Sequence, residues 1–198
     1  MSSHRSESPG RLLDAALREF AAHGYGGART ERIARAAGVN KQLIFYYYHS
    51  KSGLYRAVLE RARGSLLRPQ AVAAAPSVQH ATQHLRDRIR RIAELLSASN
   101  HLIARMLVHA AIDDIPGSQP GRDAISELSA EVAQEVSRGQ GLGYFRDDVE
   151  PKRAAEQTII EILGALIFRG VFGGSTSEPE PAGWADEVSD RLVRSLTW

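Results

Sequence analysis

The chain has 198 residues, 43% hydrophobic and 24% charged, a balance that suits a folded protein and argues against global disorder. It contains no cysteine, which excludes disulfide frameworks and cysteine-based zinc sites. The net charge of +2 is small, but residues 1–60 carry nine Arg or Lys against five Asp or Glu, and the remainder sixteen against eighteen. A basic front on a mildly acidic body directs any polyanionic partner to the first third.

Residues 1–10 are polar and lack the apolar stretch of a signal peptide. The best apolar run, 159–171, is interrupted by Glu161 and Arg169, so no bilayer span and a cytoplasmic location are expected. The first helix is predicted over about 9–23, with Pro9 at its start and Leu13, Ala16, Leu17 and Phe20 as its apolar stripe. His23-Gly24 closes it. A second helix opens at Thr30, a good N-cap residue, and stops at Gly38. Asn40 caps a third, which runs to about Tyr47; Ser50 or Ser52 caps a fourth, which reaches about Leu67. Residues 68–78, with two prolines and a run of alanines, read as a linker.

Helices follow at about 79–97 and 100–113, then a Pro/Gly break at 115–121, then a helix at about 122–138. After a loop over 139–150, Pro151 starts the most apolar helix, which ends near Phe172. A loop over 173–183 precedes a last helix at about 184–196. Nowhere do apolar and polar residues alternate between hairpin turns, so the prediction is an all-α protein of about nine or ten helices.

Residues 30–51 read TERIARAAGVNKQLIFYYYHSK: two short helices joined through Ala37-Gly38-Val39-Asn40, the layout of a helix-turn-helix. Ile33, Ala34, Val39 and Ile44 would pack the pair together, and Phe45 and Tyr48 are expected in the core. Lys41, Gln42 and Tyr46 would then face outward: a cation, a bidentate amide and an aromatic edge that suit base edges or phosphates in a major groove. Four consecutive helical residues cannot share one face, so Tyr46 and Tyr47 must point partly outward. Arg29, Arg32 and Arg35 form a solvated face that adds affinity for a polyanion through counterion release.

The stretch Gly38-Val39-Asn40-Lys41-Gln42-Leu43-Ile44-Phe45-Tyr46-Tyr47-Tyr48-His49-Ser50-Lys51 resembles the recognition segment of the TetR family of bacterial transcriptional regulators. Leu13-Asp14-Ala15-Ala16, Phe20 to Tyr25 and Ile33 to Gly38 are similar to the family's first two helices, so the resemblance covers about residues 11–58. It implies an N-terminal helix-turn-helix domain over 1–52, with a tail at 1–8, and a larger helical effector-binding and dimerisation domain over 53–198. It also implies that Thr30 caps the second helix and touches a phosphate, that Lys41 and Gln42 read bases, and that Tyr47 and Lys51 contact phosphates. Leu43 stands where a small residue is frequent, and Phe45 replaces the usual tyrosine. The partners implied are a pseudo-palindromic operator, a second copy of the chain and an unidentified small-molecule effector, with no cofactor, no metal and no membrane. A DNA-bound adaptor that recruits a protein without any effector is the alternative.

In the body, residues 157–168 are apolar nearly all round, which suits a helix covered on both sides. Gly164, Ala165 and Phe168 are the candidate dimer contacts. His101, Arg105 and His109, spaced by four, share one helix face and are candidates for an effector pocket, with Glu161 as a buried carboxylate in need of a partner. His80 and His84 lack a third metal ligand. Gly139-Gln140-Gly141-Leu142-Gly143 follows a helix rather than a strand, so it is rejected as a dinucleotide loop. No nucleophile elbow or P-loop is present, and no enzymatic activity is expected.

Overall fold

The computed structural model describes residues 8–67, 75–97, 101–113, 115–172 and 183–198. The tail at 1–7, most of the linker at 68–78 and most of the loop at 173–183 lie outside the described residues. Among the described residues the structure is helical throughout: α1 (Ser8–Gly27), α2 (Thr30–Ala37), α3 (Gln42–Tyr48), α4 (Lys51–Leu66), α5 (Val78–Ser97), α6 (Leu102–Ile112), α7 (Gln119–Gly141), α8 (Pro151–Phe172) and α9 (Trp184–Leu196). No helix among them is long and apolar enough to cross a membrane.

The chain forms two compact units, residues 1–65 with 101–124 and residues 66–100 with 125–198. In the first, α1 packs against both α2 and α6. Its core holds Leu12, Ala16, Phe20, Ile33, Ile44, Leu54, Tyr55 and Leu59, all buried. Phe20 meets the Tyr55 ring edge-on at 4.9 Å, and Tyr25 meets it at 5.3 Å. Gly24 breaks the regular course of α1 at φ 63°, a backbone state that favours glycine. The Tyr55 hydroxyl is buried without a hydrogen-bond partner among the described residues, and burial with the nearby Asp113 carboxylate pushes its pKa up to about 12. An unsatisfied buried hydroxyl costs stability, so Tyr55→Phe is expected to stabilise the protein by about 1 kcal/mol. The check is thermal unfolding near neutral pH; a lower midpoint than wild type would refute it.

The second unit is held by buried Leu85, Ile89, Ile92 and Leu96 of α5, Ile162 and Leu166 of α8, and Val188 and Leu192 of α9. Polar clamps tie the helices: Arg88 reaches Glu131 at 2.9 Å and Glu135 at 3.2 Å on α7, and Arg86 reaches Asp190 at 2.8 Å on α9. The loop after α7 is fastened by Gln140, whose Nε2 donates to the carbonyls of Arg146 and Val149 at 2.7 and 2.8 Å. Gly139 has a packing reason, since a Cβ there would lie 2.2 Å from the Phe145 ring. Glu150 caps α8 by accepting from the Lys152 and Arg153 backbone N–H groups at 3.0 and 2.6 Å, with Pro151 in the first turn.

Three helix boundaries differ by three residues or more from the sequence expectation: α1 does not close at His23-Gly24 but runs past the Gly24 kink to Gly27, and both ends of α7 move outward. α7 starts at Gln119, because Pro120 suits a first turn and Gly121 fits where a Cβ would meet the Ala110 Cβ at 2.5 Å. α7 also runs on to Gly141.

Candidate nucleic-acid interface

The turn between α2 and α3 is built from local signals. Gly38 sits in the left-handed region at φ 65°, and its own N–H and that of Val39 return to the Arg35 and Ala34 carbonyls at 3.1 and 3.0 Å. This is the glycine-ended helix stop anticipated from the sequence. Asn40 then opens α3, its Oδ1 accepting from the Gln42 N–H at 2.8 Å. Of the two serines before α4, Ser50 makes the cap, accepting from the Gly53 N–H at 2.9 Å.

Thr30 departs from expectation. Arg29 occupies the N-cap position of α2 and Thr30 is the first helical residue, so its hydroxyl turns to Glu31 Oε2 at 3.4 Å instead of capping the helix. The start of α2 is held from outside by Glu19 of α1, which accepts from the Arg29 N–H at 2.9 Å and from Arg32 Nε at 2.6 Å. Burial alone raises the Glu19 pKa, but the hydrogen bonds from Arg32 and the Arg29 backbone outweigh it and leave the carboxyl below its ordinary value. A depressed folded-state pKa contributes stability that is present above the unfolded value and is lost as pH falls through the folded one. Glu19→Gln is therefore expected to lower stability near pH 7 and to weaken the loss of stability below about pH 4.5. Denaturant titrations at pH 7 and pH 3.5 check this, and a difference from wild type that is the same at both would refute it.

α3 presents a front of Lys41, Gln42, Phe45 and Tyr46, all exposed, while Ile44 is fully buried. Phe45 corrects the expectation of a core residue: it is 44% exposed, and Lys41 Nζ lies 5.7 Å above its ring. Tyr48 is half-buried, its hydroxyl donating to the Pro9 carbonyl at 3.3 Å. Tyr46 is 69% exposed and Tyr47 half-buried, with their rings 5.1 Å apart. Lys51 stands at the start of α4 with its ammonium 4.6 Å from the Tyr25 ring, which orients a cation beside the same surface. Glu31 was not singled out from the sequence; it takes the Lys41 ammonium in an ion pair across the α2–α3 turn.

The remaining candidates fall elsewhere. His101 starts α6 in the left-handed region at φ 61°, Arg105 is exposed, and His109 leans on Gly24 while its Nδ1 lies 3.9 Å from the Asp113 carboxylate. These three belong to the first unit and Glu161 to the second. Glu161 is not the buried carboxylate expected: it is partly exposed and paired with Arg191 of α9. On α8, Phe168 is exposed and Gly164 and Ala165 are half-buried. His80 bonds Ser77 at 2.8 Å, and no group of three or more His, Asp or Glu that could hold a metal occurs among the described residues.

Residues 12–58 match the family model described as bacterial regulatory proteins, tetR family. The chain is 53% identical over 51 residues to the HTH-type transcriptional repressor SCO4008 of Streptomyces coelicolor, covering 26% of this chain and 27% of that protein. It is 32% identical over 133 residues to the HTH-type transcriptional regulator RutR of Escherichia coli O157:H7, covering 65% and 62%. These matches thus span about a quarter and about three fifths of the two relatives' lengths. The fold is similar to the crystal structure of the transcriptional regulator FadR of Bacillus subtilis in complex with stearoyl-CoA, with a TM-score of 0.72 at 16% identity over 94% of this chain and 98% of that one. The two findings agree: residues 12–58 of the chain match the tetR family of bacterial regulatory proteins, and the all-helical fold is similar to that of the FadR regulator.

Proposed function

We propose that the protein is a sequence-specific DNA-binding transcriptional regulator that acts as a homodimer, most simply a repressor released by a small-molecule effector. The observation that carries this reading is the exposed front of α3, where a cation, an amide and two aromatic rings stand on a helix anchored by buried Ile44. Lys41 suits the acceptor pair of guanine and Gln42 that of adenine, while Phe45 offers an apolar contact to a thymine methyl. Tyr46 within this front, with Thr30, Tyr47 and Lys51, is assigned to the phosphates and groove edge.

Two such helices reach successive major grooves when a dimer sets them about 34–36 Å apart. The face proposed to meet the second copy is that of α8, where Ile160 and Phe168 are 68% and 60% exposed with Gly164 between them at a spacing of four. It borders a groove of 780 Å³ lined by Ala130, Ala133 and Ile159, into which a partner's side chains can pack. For the effector, the Bacillus subtilis FadR structure shows that an architecture of this kind can carry a small molecule, there stearoyl-CoA. Arg105 and His109 are assigned to such a ligand because His109 touches the Gly24 break of α1. A shift of α6 would thereby reach the helix on which α2 is anchored, and the effector's differential affinity for the two states sets its influence on DNA binding. His101 is assigned to the same helix start, and Glu161, taken up by Arg191, is left out of this assignment.

The test is selection of bound sequences by the purified full chain from a random DNA pool at physiological salt. Enrichment of a pseudo-palindrome supports the dimeric reader. Binding without any enriched motif, fading uniformly as salt rises, would refute sequence-specific regulation and favour a DNA-bound adaptor.

A further inference from the structure

The groups assigned to DNA are not all idle in the free protein. Glu31, the second residue of α2, is exposed on the same surface, yet its two carboxylate oxygens are both taken: Oε1 by the Lys41 ammonium and Oε2 by the Thr30 hydroxyl. Both partners are residues assigned to DNA contacts, and they stand at the starts of the two helices of the motif. The Lys41 hydrogen bond is the main cause holding the Glu31 carboxyl below its ordinary range. A carboxylate on a surface that faces a polyanion is electrostatically unfavourable; Glu31 is exposed, and its place in the first turn of α2 favours an acid but does not require one that also holds Lys41.

We propose that Glu31 is a specificity-determining positioning residue: it holds Lys41 and Thr30 in the free protein, so that they are released to DNA only where a cognate sequence offers Lys41 a better acceptor pair. This rests on reading α3 as the base-reading helix. On random DNA, a phosphate must compete with a carboxylate already in contact, and the freed carboxylate then faces the phosphate backbone. On the operator, the paired acceptors of a guanine edge replace the carboxylate with two directed hydrogen bonds. The carboxylate therefore weakens non-cognate binding more than cognate binding, a repulsive contribution to specificity.

The experiment compares wild type, Glu31→Gln, Lys41→Gln and the double variant, each as full-length protein, on a random-sequence duplex and on the duplex enriched by selection. Glu31→Gln is expected to raise affinity for the random duplex about fivefold or more and for the enriched duplex less, lowering the ratio of the two. Its salt dependence on the random duplex should steepen by about one unit of slope per subunit, because a freed lysine neutralises one more phosphate. In the Lys41→Gln background the change in ratio should largely disappear, which a general effect of surface charge would not produce. An equal rise on both duplexes, no rise, or a full effect without Lys41 would overturn the proposal while leaving the DNA-reading assignment intact. Failure of wild type to enrich any sequence would remove that assignment and this inference with it.

Discussion

Replacing Gly53 by alanine is expected to destabilise the protein by about 2–4 kcal/mol, the combined effect of overpacking and a disturbed helix cap. A Cβ at this position would stand 2.0 Å from the Tyr48 carbonyl oxygen and 3.2 Å from its carbon. Backbone cannot swing aside as a side-chain tip does, so either the last turn of α3 or the first of α4 must move. The Gly53 N–H is also the group that the Ser50 side chain caps, so the same displacement loosens the start of α4. Because α3 carries the proposed reading face and Lys51 lies two residues upstream, DNA affinity should fall along with stability. Gly64→Ala, in the same helix but with open space around the site, is the control. It should be neutral or stabilise by up to about 1 kcal/mol through helix propensity. Thermal unfolding distinguishes the two; a Gly53→Ala midpoint within a degree of wild type would show that the α3–α4 junction is looser than its contacts imply.

Gln42→Ala and Lys51→Ala should separate the two kinds of DNA contact. Gln42 is exposed in the first turn of α3, and its amide has the donor–acceptor geometry for adenine N6 and N7. Its loss is expected to weaken operator binding about 10- to 100-fold, equivalent to about 1–3 kcal/mol, with little change on random DNA and relaxed preference at one base pair in each half-site. Lys51→Ala should weaken operator and random DNA by similar factors and flatten the salt slope by about one per subunit. It also removes the ammonium from the Tyr25 ring, a small stability loss of about 0.5–1 kcal/mol that a melting curve reads separately. Equal losses on both DNAs for Gln42→Ala would sink its base-reading role.

Much of the helix-turn-helix was legible because its punctuation is local. The left-handed Gly38, the Asn40 side chain at the start of α3 and the Ser50 cap of α4 each act on backbone groups within a few residues, so residue type and spacing suffice to place them. The last helix follows its apolar periodicity from Trp184 to Leu196, and α8 opens at Pro151 for the same local reason. Where expectation failed, a partner distant in the chain had intervened. Thr30 is not a cap because α2 starts one residue earlier than expected, with Arg29 at the N-cap and its N–H held by Glu19 of α1, and α7 starts early because Gly121 fits against Ala110 and Leu59.

Aromatic residues on a short helix show the same division. In residues 45–48, the argument that four consecutive positions cannot share a face correctly put Tyr46 outward, but the expectation that Phe45 and Tyr48 lie in the core failed for Phe45 and held only in part for half-buried Tyr48. α3 docks through Ile44, which leaves Phe45 on the surface beneath the Lys41 ammonium. The existence of the helices, the ends set by local caps and the basic helix-turn-helix were thus determined by the sequence alone, since propensity, capping and turn chemistry operate over a few residues; the ends of α1 and α7 were not. The tertiary structure decided which side chains of that motif are presented and which are occupied. The Glu31–Lys41 pair and the Glu19 anchor join residues ten apart in the chain, and such pairings depend on how helices cross rather than on any pattern within one of them.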